Sequence, residues 1–118
     1  MFAPLLAAVL IASAALSAPQ EALVTQSVAD LARHQPPAIG FRDVRLTVVE
    51  DPDGAPRQLV CGEVLMEGRW SPFGSRETMS GYEHLVGSLA RAWCTEPGLE
   101  WLPSEGLTAR FEAEVANR

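Results

Sequence analysis

Two cysteines, two histidines and one acid inside an apolar run are the residues of this chain whose types could do chemistry. Cys61 and Cys94 lack the C-x-x-C spacing that lowers a thiol pKa and sets a resolving partner beside it. In a chain that leaves the cytoplasm such a pair serves as a disulfide, and closing a loop of about 33 residues is worth roughly 3–4 kcal/mol by chain entropy. His34 and His84 have no G-x-S-x-G elbow or S-x-x-K motif to supply them with a nucleophile. His34 reads as a cation at the end of the first helix, where the helix dipole favours it, and His84 as an ordinary strand residue. Asp51-x-Asp53-Gly54 opens like a calcium loop but lacks the ligands that should follow, so it reads as a solvated turn. Glu63 is the best single acid-base candidate, because burial raises a carboxyl pKa toward useful values. Its partner would be Glu83 or an arginine, and the plainer reading is a structural ion pair. No metal or cofactor is expected.

A second group of residues suits recognition better than catalysis. Gly68 to Gly81 reads as a long irregular loop rich in Gly, Ser and Pro, and loops of that length in small domains commonly carry function. It holds Arg69, Trp70, Phe73 and Arg76, with Tyr82 just beyond, and Trp, Tyr and Arg are the anchors that interfaces favour. These five are the candidate binding residues. The competing reading folds Trp70 and Phe73 back to cap the core.

Charge narrows the partners. All nine cationic residues are arginine, set against fifteen acids for a net charge of −6. The absence of lysine excludes a Schiff-base lysine, a lysine nucleophile and a phosphate-loop lysine. The arginines are scattered, so there is no basic stripe to displace counterions from nucleic acid or to bind an anionic membrane surface.

The elements that must position these residues follow from patterning. Leu5 to Leu16 is a continuous run of small and apolar residues, too short to span a membrane and right for a signal-peptide core. Residues 1–18 are read as a signal peptide, with cleavage after Ser17 or near Ala18, although the segment before the core has no Lys or Arg. An uncleaved anchor is the rival. Residues 19–118 form one small domain, roughly 100 residues long and near the usual size. Residues 20–35 carry a helical apolar stripe through Val24, Val28 and Leu31, ended by Pro36-Pro37. Phe41 to Glu50 alternates as a strand, Asp51 to Pro56 is dense turn chemistry, and Arg57 to Met66 returns as a strand apolar on both faces and hence central. Tyr82 to Cys94 fits strands broken near Gly87-Ser88 or an amphipathic helix; strands are preferred. Leu107 to Asn117 closes the chain as a helix with Phe111 and Val115 on one face.

Phe41-Arg-Asp-Val44, Val60-Cys-Gly-Glu-Val64 and Gly81-Tyr82 together resemble a pattern of small exported proteobacterial proteins of unknown function, across roughly residues 28 to 85. The resemblance implies a helix, an F-R-x-V strand, a V-C-G-x-V strand and a terminal helix, and implies no activity. This chain has Leu65-Met-Glu-Gly68 where the pattern has an Asn-Ala-Lys-Asn-like stretch, and its second cysteine, Cys94, lies further from the C-terminus.

The expectation is therefore an α+β domain with an N-terminal helix, an antiparallel sheet of about four strands, a C-terminal helix and one disulfide. It is read as a periplasmic or secreted, non-enzymatic binding or envelope-accessory module that meets an envelope protein or small ligand through residues 69–82. After leader cleavage it has no stable membrane insertion. The alternative is a small carboxylate-dependent hydrolase using Glu63.

Overall fold

The computed structural model describes residues 16–118, so the expected leader lies largely outside the described residues. Helix α1 (Ala18–Ala32) begins at a reciprocal cap. The Ser17 hydroxyl accepts from the Gln20 amide at 3.3 Å, while the Gln20 side chain accepts from the Ser17 amide at 2.8 Å. Two of the donors that every helix start leaves open are thereby satisfied. The helix starts before the span expected from its apolar stripe, with Pro19 in the first turn where a missing N–H costs nothing. It also ends earlier. The Arg33 and His34 amides turn back onto the Asp30 and Leu31 carbonyls, which tightens the last turn and frees the chain to extend before Pro36.

Strands β1 (Gly40–Glu50), β2 (Pro56–Met66), β3 (Arg69–Thr78) and β4 (Gly81–Val86) form an antiparallel sheet in the order β1-β2-β3-β4. Most of the segment expected as an irregular loop, 68–81, is strand β3. Glu67 and Gly68, at φ 50° and 72°, make the two-residue turn between β2 and β3, and positive φ at both central residues suits the right-handed twist of the flanking strands. Met79-Ser80 makes the next turn, with Thr78 opposite Gly81. The preference for strands across 82–94 also needs correcting. Strand β4 stops at Val86, Gly87 turns the chain at φ 103° and ψ −151°, and a short helix α2 (Ser88–Cys94) follows.

Register assigns the two faces of the sheet. On the inner face Leu46, Val60, Ser75 and His84 form one row across the four strands, and Gly62, Phe73 and Val86 the next, with Val44 of the β1 bulge packed against Gly62. Helices α1 and α3 (Leu107–Ala116) cover this face, burying Leu23, Val24, Val28 and Leu31 with Leu107 and Phe111 against it. Phe41, Phe73 and Phe111 meet at ring-centroid distances of 5.8–6.0 Å, within the range where aromatic quadrupoles attract. Gly62 is required here, because a Cβ at that position would lie 2.7 Å from Phe73 Cε2 and 3.0 Å from Val44 Cγ2. Arg110 of α3 grips both carboxylate oxygens of Glu21 on α1, at 3.0 and 2.7 Å, a fork geometry that fixes the angle between the helices.

The outer face is only partly covered. Helix α2 lies over β3 and β4, bonded to the sheet by the Cys61–Cys94 disulfide. Gly74 lets it approach, since a Cβ there would meet Trp93 at 3.1 Å. The chain after α2 runs along the free edge of β1. The Leu102 amide bonds the Leu46 carbonyl at 2.9 Å, Ser104 Oγ accepts from the Leu46 amide, and Thr47 donates to the Glu100 carbonyl at 2.6 Å. An edge that would otherwise offer unpaired backbone groups to another chain is blunted in this way.

Candidate functional site

Each of the three tryptophans of the chain has an arginine stacked on its ring. Arg42 lies 4.2 Å from the Trp70 ring, Arg45 4.1 Å from Trp101 and Arg76 4.3 Å from Trp93. All three arginines project from the outer face of the sheet. A shift in register between Arg42 and Arg45, with Asp43 at φ 55°, makes this possible on β1. The bulge inserts an extra residue, so both arginines emerge on the same side and sit next to each other. The Arg76–Trp93 pair packs β3 against α2, to which Trp93 belongs, and is half-buried. The other two pairs stay open, with Arg42, Arg45 and Trp70 exposed and Trp101 half-buried.

Glu63 stands opposite Arg42 in the register. Arg42 donates from Nε to Glu63 Oε1 at 2.8 Å and from Nη2 to Oε2 at 3.4 Å. Both carboxylate oxygens therefore hold the guanidinium plane over Trp70, a positioning role. Arg45 has no acidic partner among the described residues, so its stacked guanidinium presents its N–H edges to solvent.

The five residues expected as a binding loop separate in three dimensions. Trp70 is on the open outer face. Arg69 is exposed at the β2–β3 end of the sheet. Arg76 is held between Trp93 and Glu83, whose carboxylate it meets at 3.3 Å. Phe73 is fully buried in the core and unavailable to a partner; its share of the capping alternative is what the fold realises. Tyr82 is 42% exposed but projects from the inner side, beside Glu77 in the register. Arg42, Arg45 and Trp101 were not singled out from sequence. The signal present, arginines three apart in a strand, points to opposite faces unless a bulge intervenes.

The inner face carries a second polar group. His84 of β4 places Nδ1 2.7 Å from Ser75 Oγ, and Ser75 Oγ lies 2.9 Å from Ser27 Oγ of α1. Both serines are buried. His84 Nε2 lies 3.0 Å from His34 Nε2. His34 thus spends its ring on His84, where sequence assigned it to the helix dipole, and His84 is the hub of a four-residue chain. Burial pushes the His84 pKa below the ordinary imidazole value of 6.5, opposed by the nearby Asp30 carboxylate and assisted by His34. At the β1–β2 turn the Asp51 and Asp53 carboxylates both meet Arg57. No family model, curated protein or solved structure matches the chain.

Proposed function

We propose that the chain is an exported, non-enzymatic binding module of the bacterial periplasm, and that it seats a partner protein on the open part of its outer sheet face. The observation that carries this reading is the pair of stacks, Trp70–Arg42 and Arg45–Trp101, side by side on one bulged strand and facing solvent. Stacking fixes each guanidinium before a partner arrives, so little side-chain entropy remains to be lost on binding. Aromatic and arginine side chains held in this way are what dominates interface energies. The free N–H edge of Arg45 suits a partner carboxylate in the bidentate geometry. Glu63 is engaged with Arg42, which favours a scaffold role over the hydrolytic one.

Export is supported by the apolar leader and by the Cys61–Cys94 bond, which persists in oxidising compartments. Among the described residues no helix is long and apolar enough to cross a membrane. The resemblance to small exported proteobacterial proteins is part of the same proposal.

Affinity capture from envelope extract, read by mass spectrometry against variants, tests the reading. Trp70→Ala with Arg45→Ala should abolish capture of the partner while the far-UV circular dichroism stays unchanged. Tyr82→Ala, on the opposite side of the sheet, should leave capture intact. Loss with Tyr82→Ala, or retention in the double variant, would move the interface elsewhere. A turnover that Glu63→Gln destroys without unfolding would favour the hydrolase.

A further inference from the structure

The chain contains only two histidines, and the fold brings them together from positions 50 residues apart. We propose that His34 and His84 form a two-histidine site for a first-row transition-metal dication, with Cu2+ held most tightly. This stands independently of the docking face, which is on the other side of the sheet.

Distance is the first argument. Imidazole nitrogens bind such metals at about 2.0–2.1 Å, so two ligands spanning roughly 90–110° at one ion lie about 2.9–3.4 Å apart. The two Nε2 atoms are 3.0 Å apart, with the rings edge to face at 64°. Support behind the ligand is the second. A metal-binding histidine is oriented by a hydrogen bond from its other nitrogen. Here His84 Nδ1 meets Ser75 Oγ, which is itself tied to Ser27 Oγ in the buried core. With Nδ1–H donating to Ser75, Nε2 keeps its lone pair and faces His34.

The third argument is access. His34 lies beyond the end of α1 and is half-buried, so its ring can turn to aim a lone pair at an ion shared with His84. In the neutral pair one Nε2–H bridges the two rings. On metal binding that ring takes the Nδ1–H tautomer, so no net proton leaves when both rings start neutral. Asp30, on the last turn of α1, adds a negative charge that acts on His84. Its Oδ1 is engaged by Gln26 and by the Arg33 guanidinium, the opposing cation nearby. Among the described residues no cluster of three His, Cys, Asp or Glu side chains could hold a metal, so water would complete the coordination. An open site of two imidazoles follows the general affinity order, in which Cu2+ exceeds Ni2+ and Zn2+.

Titration calorimetry of the untagged chain with CuCl2 and with ZnCl2 at pH 7.5 tests this. One Cu2+ should bind saturably and more tightly than Zn2+. His34→Gln should abolish that equivalent, as should His84→Gln. Because His34 lies outside the helix and is half-exposed, its variant reads the site even if His84→Gln disturbs the fold. Ser75→Ala should weaken binding about 10–100-fold by freeing the ring it orients. The proposal fails if the wild-type chain shows no saturable equivalent, or if one equivalent survives in His34→Gln.

Discussion

At His84 burial works against the charged imidazole, and the sign of the consequence can be fixed. Its folded pKa lies below the ordinary 6.5, burial being the main cause, so below that pH the unfolded chain binds the proton more readily than the native one. The contribution to stability is complete above 6.5 and is lost as pH falls through the folded value. Glu21 acts lower down. Its hydrogen bonds to Arg110 hold its carboxyl below the ordinary 4.5, so its contribution is present above 4.5 and is lost on further acidification. Urea midpoints measured from pH 7.5 downward should therefore begin to fall below about 6.5, before the carboxylates titrate, and His84→Gln should remove that first decline. A wild-type profile that is flat between 6.5 and 4.5 would show that His84 is not buried against its charge. None of this was legible at the level of single residues. Periodicity tells which side of a strand His84 takes, but nothing local tells that His34 will close onto it across three intervening strands.

Elements were legible where one periodicity was clean. The apolar stripe of α1, the alternation of β1, the two-sided apolar run of β2 and the Phe111 face of α3 all lie where patterning placed them, within a few residues. Strand β3 was not, because its Pro, Gly and Ser carry turn chemistry in most contexts. Pro72 is tolerated because its carbonyl accepts from the Gly87 amide on the β4 side, and β4 has already ended at Val86. The N–H it lacks would find no ladder partner there. Helix α2 has too few residues to be stable alone, so only its contacts define it, and no window of sequence contains them. The start of α1 bears on processing. Cleavage after Ser17 would delete the cap and the contact of Leu16 with the core, whereas the small-x-small run Ala12-Ser13-Ala14 allows cleavage that keeps both. Under the export reading, the intact mass of the secreted chain should correspond to a start at Ala15. Ser17→Ala should cost about 1 kcal/mol in urea unfolding. A mature chain that begins at Ala18 would mean that the helix works without its cap.

For the whole molecule, what matters is that the two sheet faces are stabilised by different means. The inner face is held by a continuous apolar core under α1 and α3. The outer face has a seven-residue helix and an irregular return held by one covalent bond, one close approach at Gly74 and a few edge hydrogen bonds. Loop closure over a sequence separation of 33 residues predicts that removing the disulfide costs roughly 3–4 kcal/mol, a large fraction of what a domain of this size has. The loss should nevertheless be local in its effects. In Cys61→Ala with Cys94→Ala, amide exchange should speed up most in α2 and in residues 95–106, while α1, α3 and the centre of the sheet keep their order of protection. Trp101 and Trp93 would then leave their arginines, so the variant should lose partner capture before it loses its fold. In the native protein neither cysteine should react with a thiol reagent until reductant is added. An exchange pattern that accelerates evenly through both faces would mean that core and staple form one cooperative unit, and that the binding face cannot be loosened without unfolding the protein.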